Sequence, residues 1–498
     1  MTVIAPNESC PPRCRWHTHP YAVGAILLFI CGAGQLWIIT AGFKSWHGYT
    51  DYYSRLTDAF LHGQLNLRQG PAPEILSLPD PYDPEANARY RLHDASLYNG
   101  KYYLYWGPAP AIFAAAICWI IRDFNPSFGD QYLAFIFLFG ATVLAAILIF
   151  QARTKLFPTE PVWTSAFAIL TLGLGTPLMF MLARSAIYEA SVAAGQFFLL
   201  AGFLAAWFGL QNRKTFLLVL AGLFWACSAG SRISMMPAVA AVAMLTAWRL
   251  RGRDRKSLAN ISGLLAPLLA GAILHAWYND TRFGSPTEFG IQYQLAATNQ
   301  HFNPTTEFSS WRFVLPNFIS YLFQPPYPIK LFPYLQTQGT LPIRWLFHLK
   351  GTYHSEWVTG IIWAQPFLLF AALAWRLSFR VLNGPTRALG RWLTTCLIAA
   401  AVLGFLPALT MNGGTMRYLL DTVPSLAILS AIGFWSLNPS LDAYPRLRRE
   451  IRTAAILICL TTSLMGLLTG IDGGISNFQT YNEPLFQLLR SHLPEIPW

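Results

Sequence analysis

Apolar runs close to the roughly 20 residues that carry a helix across a bilayer recur along the 498-residue chain, separated by polar or charged segments. Read in order they predict eleven spanning helices, near 21–43, 131–150, 162–183, 190–210, 214–231, 233–250, 258–278, 358–375, 392–411, 417–437 and 453–471. The fold class expected is therefore an all-α polytopic membrane protein, with long connections at 44–130 and 279–357 and short ones elsewhere. The run "PAPAIFAAAICWII" at 108–121 is shorter and carries Pro108 and Pro110. It is read as lying at the interface or dipping into the membrane, because a further span there would invert every later loop.

Composition agrees with lipid as the main solvent: 54% of residues are hydrophobic and 12% charged, about half the charged share of an ordinary soluble domain. The net charge of +12 is concentrated in short loops between the apolar runs. With the N-terminus inside, the inner segments "CRW", "QARTK", "QNRK", "RLRGRDRK", "RLSFRVLNGPTRALGR" and "PRLRREIR" belong to inner regions with 19 Lys/Arg against 5 Asp/Glu, and the rest of the chain has 16 against 18. Basic residues collect in cytoplasmic loops. This split orients the protein and leaves no separate basic domain for a nucleic acid. Residues 1–20 are then a cytoplasmic tail, 21–471 the membrane domain and 472–498 an extracytoplasmic tail. No small-residue cleavage site follows the first span, which is read as uncleaved. Five of seven cysteines lie in apolar segments, and Cys10 and Cys14 in the inner tail, so disulfides are not expected to hold the outer loops.

Eighteen of the 23 acids fall outside the inner segments, which places carboxylate chemistry at the outer surface. In "DYYSRLTDAFLHGQLNL" (51–67), helical spacing puts Asp51, Arg55, Asp58 and His62 on one stripe, with Tyr52, Leu56 and Ala59 opposite and Gly63 as the stop. Arg55 is in reach of both Asp51 and Asp58 as a salt-bridging residue. "HDASLYNGKYYLYWGPAP" (93–110) has a turn at Asn99-Gly100 between aromatic runs, the signature of a short hairpin, with Asp94 just before it. Further polar clusters at outer helix ends are "LARSAIYEAS" with Arg184 and Glu189, "WYNDTRFGSPTEFG" with Arg282, and "MNGGTMRYLLDTVP" with Arg417 and Asp421. Each alone also fits a simple interface anchor. "GLGTP" at 173–177 lacks the strand–turn–helix setting of a phosphate loop. "PDPYDPE" at 79–85 has no regular metal-ligand spacing, leaving a divalent cation open and no cofactor required. Asn279-Asp280-Thr281 matches a glycosylation acceptor.

The acidic residue soon after the first span, "NGKYYLYWGPAP", and then "ARSAIYEA" and "MRYLLDTVP" opening later spans resemble the GT-C membrane glycosyltransferases over about residues 20–435. Within that class the chain looks closest to bacterial relatives of the protein O-mannosyltransferases and lipid A aminoarabinose transferases. Where that family keeps an Asp-Glu pair, this chain has Thr50-Asp51-Tyr52. The resemblance implies a protein of the inner (plasma) membrane that moves a hexosyl or pentosyl unit from a polyprenyl-phosphate sugar to a lipid, glycan or protein acceptor at the outer face. It implies a catalytic acid at the place of Asp51, which as the first residue of the polar stripe is read as the base, with Asp94, just before the bend back to the membrane, in reserve. From their places at span ends Arg184, Glu189, Arg282 and Arg417 are read as substrate-binding, and Arg55, Asp58 and His62 on the stripe as residues that position the helix. A polysaccharide polymerase or ligase and a transporter of a lipid-linked substrate are the alternatives; internal repeats or broken midplane helices would favour the latter.

Overall fold

The computed structural model describes residues 19–301, 309–336, 346–349, 353, 358–375, 382, 384–474 and 476–496. The N-terminal tail through residue 18 with Cys10 and Cys14, parts of the loop 279–357, most of 376–383 and the last two residues of the outer tail lie outside these.

Helix dominates, as the apolar periodicity requires. Among the described residues, seven helices are long and apolar enough to cross a membrane, or eight if a bent pair counts as one span. They include α1 (Pro20–Ile39), α5 (Asp130–Leu156), α8 (Ile187–Asn212), α10 (Met236–Leu250, with a preceding turn), α11 (Arg255–Phe283), α13 (Gly384–Thr410) and α15 (Pro445–Asp472). The bent pair is α6 (Ala166–Gly173) and α7 (Thr176–Ala183). Eleven full-length spans are thus not reached. The segment at 214–231 forms the 17-residue α9 (Thr215–Ser231), the one at 358–375 is split into short turns at Pro366, and the one at 417–437 yields a 15-residue α14 (Val423–Leu437) after a separate turn. Proline fixes φ and lacks an N–H, so it starts helices well and breaks runs that hydropathy alone would join.

"GLGTP" is the break between α6 and α7. A side chain at Gly175 would meet Gln365 Nε2 at 1.7 Å and the Thr171 carbonyl at 2.2 Å, so only glycine lets these elements close up there.

Helix ends gather on two faces. On one, Asp130 meets Thr50, Tyr49 donates to the Ala183 carbonyl, Ser191 to the Ser231 carbonyl, Arg282 to the Leu104 carbonyl and Asn482 to the Ala41 carbonyl. On the other, Glu160 takes Asn438 and lies 3.6 Å from Arg452, while Arg153 donates to its carbonyl. The second face holds the basic loops and the first holds the acid-rich connections. Within the bundle α8 is the most enclosed of the spanning helices (83% of its apolar window buried) and α11 the least (11%), so α8 is the axis and α11 faces lipid.

Three short elements cover the acid-rich face. α2 (Tyr52–Leu61) buries Tyr52, Tyr53, Leu56 and Ala59, as the stripe predicted. The hairpin β1 (Ser96–Tyr98) and β2 (Lys101–Tyr103) turns through Asn99 and Gly100, both at positive φ, which is what a two-residue turn with right-handed strand twist demands. α4 (Ala109–Ile121) has 13 residues, about 20 Å of helix at 1.5 Å per residue. That is short of the bilayer core, and Ile112, Trp119, Ile120 and Ile121 are exposed along it, in keeping with an interfacial segment.

Candidate active site

Asp130 organises the entrance to the 44–130 loop. As the first residue of α5 it is fully buried, and its carboxylate accepts from Thr50 Oγ1 (2.6 Å), Tyr52 N (3.0 Å) and Tyr53 N (2.9 Å). It thereby caps α2 from another element. Asp51, at the N-cap position itself, makes no capping bond; its Oδ1 accepts from Arg55 Nε at 2.7 Å and the side chain is 51% exposed. Arg55 reaches on to Gln69 and leaves Asp58 alone. Asp58 pairs instead with Arg68 (3.0 Å) and His62 (3.2 Å). The expected Asp51–Arg55–Asp58 ladder is therefore two separate pairs, because the chain after Gly63 folds back and brings Arg68 over the stripe. Asp58→Asn should lower stability by less than about 1 kcal/mol in a thermal melt, the scale of a surface pair.

Asp94 lies deeper, its side chain 16% exposed. Backbone bonds between Asp94 and Leu295 and between Leu295 and Ala95 pin the loop after α11 beside it, and Ser96 bridges Gln294. That pairing delivers Gln294, whose Nε2 donates to Asp94 Oδ1 at 2.7 Å. Tyr188, in the first turn of α8, donates to Asp94 Oδ2 at 3.0 Å, and Tyr105 donates to Tyr188 Oη at 3.0 Å. Burial above all, then the neighbouring Tyr188 and Asp94, pushes the Tyr105 phenol well above its ordinary value, so it stays protonated.

The same helix end holds Arg417. Its guanidinium lies 4.6 Å over the Tyr188 ring and 3.3 Å from Glu189 Oε1, while Glu189 Oε2 accepts from Ala186 N at the start of α8. Two of the predicted clusters, around Glu189 and Arg417, thus join Asp94 through Tyr188. Asp51 remains outside on α2, and Arg184 sits at the C-cap of α7 near Tyr49.

Behind Tyr105 is a chamber of about 230 Å³ lined by Tyr105, Trp106, Arg232, His275, Arg282 and Tyr418, among others. Arg282 is 4% exposed, stacked 3.7 Å from the Tyr278 ring, and donates to the Leu104 carbonyl (2.6 Å) and Asn279 Oδ1 (2.8 Å). Asn279 is fully buried in this network, which overturns its reading as a glycosylation acceptor. Arg232, unremarked in the sequence, follows α9 and is clamped by Asp421 through Nε (2.9 Å) and Nη2 (2.8 Å) to one carboxylate oxygen. This leaves the rest of its five donors for the chamber. The backbone at Gly107 closes one wall: a Cβ there would sit 2.1 Å from the Gly230 carbonyl.

Two apolar grooves lie beside α11, one of about 490 Å³ with α4 and α9 and one of about 660 Å³ with α9 and α10. Both share His275 with the chamber, so grooves and chamber meet at that side chain. Among the described residues no group of three or more His, Cys, Asp or Glu comes together as a metal cluster, and Asp80 and Asp83 of "PDPYDPE" cap local turns.

Fold and site define a multi-pass helical membrane protein with a cationic chamber and a carboxylate network at one face. No family model matches the chain, and no curated protein matches it in sequence. Among solved structures it is similar to the apo oligosaccharyltransferase of Archaeoglobus fulgidus (16% identity, TM-score 0.49, covering 91% of this chain and 56% of that one). It is also similar to AglB of the same organism in complex with an inhibitory peptide and a dolichol-phosphate (14%, 0.45, 91% and 56%). A third is ArnT from Cupriavidus metallidurans bound to undecaprenyl phosphate (9%, 0.39, 93% and 77%). The chain spans about half the length of the oligosaccharyltransferase.

Proposed function

We propose that this protein is a membrane glycosyltransferase that moves a sugar from a polyprenyl-phosphate donor to an acceptor hydroxyl at the outer face. The observation that carries this is the shared wall at His275: two apolar grooves and a small chamber lined by Arg232 and Arg282 all have that side chain in their lining. An isoprenoid tail fits the grooves by burial of apolar surface, and a phosphate fits the arginines through charge-assisted, forked hydrogen bonds. Cations held there stabilise the phosphate as it leaves the sugar, and need no reorganisation to do so.

Asp94 is the base in this reading. Its carboxylate is linked by hydrogen bonds through Tyr188 to the chamber-lining Tyr105, whereas Asp421 is tied up by Arg232 and Asp51 is half-exposed and engaged with Arg55. Arg417, held by Glu189, fixes the Tyr188 ring next to the chamber-lining Tyr105.

The test is reconstitution. Purified protein in liposomes is expected to retain a labelled polyprenyl phosphate and, given polyprenyl-phosphate sugars and an acceptor panel, to release free polyprenyl phosphate. Failure to bind the lipid phosphate would overturn the proposal, and lipid movement without sugar transfer would point to a transporter.

The basic-residue split supports an inner N-terminus and an outer 44–130 loop. An impermeant maleimide should label Lys101→Cys and not Arg253→Cys in intact cells. The opposite pattern would invert the orientation and place the chamber in the cytoplasm.

A further inference from the structure

Asp94 is not among the residues lining the chamber where the donor phosphate is placed, yet a base must reach the proton it removes. Resting on the proposed reaction, we propose that Tyr105 and Tyr188 form a proton wire from the chamber to Asp94, with Tyr105 the residue that touches the acceptor. Tyr105 lines the chamber; its hydroxyl donates to Tyr188 Oη at 3.0 Å, and Tyr188 donates to Asp94 Oδ2 at 3.0 Å. Both bonds point the same way, from chamber to carboxylate. His93 Nε2, on a side chain 57% exposed, lies 3.7 Å from Asp94 Oδ1, the oxygen not bonded to Tyr188.

The step balances as follows. The acceptor oxygen forms a bond to the anomeric carbon as the carbon–oxygen bond to the phosphate breaks, and that electron pair stays on the phosphate. The acceptor's proton passes to Tyr105 Oη, the Tyr105 proton to Tyr188 Oη, and the Tyr188 proton to Asp94. Neither tyrosine ionises, which suits phenols in a buried setting. Gln294 Nε2 donates to Asp94 Oδ1 and lies 3.5 Å from Tyr105 Oη, so it holds the two ends of the wire at a constant separation. The packing that fixes the rings is independent of their hydroxyls: Tyr105 stacks on Trp106 at 4.2 Å between centroids, and Arg417 covers Tyr188. Phenylalanine at either position therefore keeps the ring contacts and removes only the relay oxygen.

Tyr105→Phe and Tyr188→Phe test this in the full-length protein reconstituted in liposomes. Each should lower kcat by about 10²-fold or more, within the range of a lost acid–base contribution. In the wild type, rates in H₂O/D₂O mixtures should curve with deuterium fraction, as several protons in flight require, and become linear in both variants. Tyr82→Phe removes an outer-loop hydroxyl that donates to the Leu97 carbonyl, and should leave rate and curvature unchanged. A second readout needs no turnover: the carboxylate infrared bands assigned to Asp94 by difference with Asp94→Asn should shift in Tyr188→Phe. Unshifted bands, or wild-type kcat with unaltered curvature in both variants, would overturn the wire. Absence of any transfer by the wild type, with the bands still shifting, would instead overturn the reaction.

Discussion

Asp94→Asn is expected to reduce sugar transfer by about 10²–10⁴-fold, the usual worth of a general base, while leaving the protein folded and able to bind a polyprenyl phosphate. The substitution is nearly isosteric. The amide can still accept from Tyr188 and, after reorientation of Gln294, keep its second bond, so the loop pairing of residues 94–96 with 294–295 should survive. What is lost is a site for the acceptor's proton. Asp51→Asn is the matched comparison: its carboxylate is half-exposed and held only by Arg55, so its loss should cost under about 1 kcal/mol in stability and much less in rate than Asp94→Asn. Transfer rates of the two purified variants, with melting curves beside them, decide the matter. An inactive Asp51→Asn beside an active Asp94→Asn would return the base to Asp51, the first carboxylate after the first span.

The second large effect is expected at the Arg232–Asp421 pair. Asp421 is 1% exposed, and Arg232 is the cation that neutralises it. Arg232→Ala leaves a buried carboxylate uncompensated, which typically costs about 3–5 kcal/mol, so this variant should melt well below wild type. Replacing both members, Arg232→Met with Asp421→Leu, removes the unpaired charge and should restore most of the stability. Binding should not follow. If Arg232 holds the donor phosphate, the double variant is folded yet still weak for polyprenyl phosphate, by about 1.5–3 kcal/mol for one charged hydrogen bond. Arg232→Lys separates the remaining possibilities: it keeps the charge but loses the planar fork that serves Asp421 and a phosphate together. Recovery of full binding in the double variant would show that Arg232 serves only the helix junction, leaving Arg282 as the phosphate ligand.

The solvent and the helical class were legible in the chain because burial in lipid is written in hydropathy, and the asymmetry of Lys and Arg is a local property of loops. So were the short elements of the outer surface. The stripe of α2 follows from helical spacing, and the β1–β2 turn from Asn99-Gly100, two residues that tolerate positive φ. The number of full-length helices was not, since hydropathy averages over breaks that Gly175, Pro366 and Pro424 introduce.

Candidate residues were legible as types and not as partners. Arg417, Glu189 and Arg282 were found because they fall in polar clusters at the ends of predicted spans on the acid-rich side. Their roles diverged once packing was known: Arg417 with Glu189 at the end of α8, Arg282 inside the chamber wall. Arg232 had no such mark, being one arginine between two apolar runs; only its partner Asp421, 189 residues away, shows why a charge is tolerated there. Asp130, not singled out in the sequence, is the cap of α2. Asp51 was favoured for its place after the first span, but sequence position cannot say how far a side chain is from a cavity. That is set by pairings across 200 residues, such as Gln294 with Asp94. Membrane solvent, helical class and the sign of each face were thus determined by the chain's own pattern, because each depends on residues close in sequence. Which carboxylate faces which arginine was decided by tertiary structure alone, because it depends on helix ends brought together by packing, and no local preference encodes a distance between them.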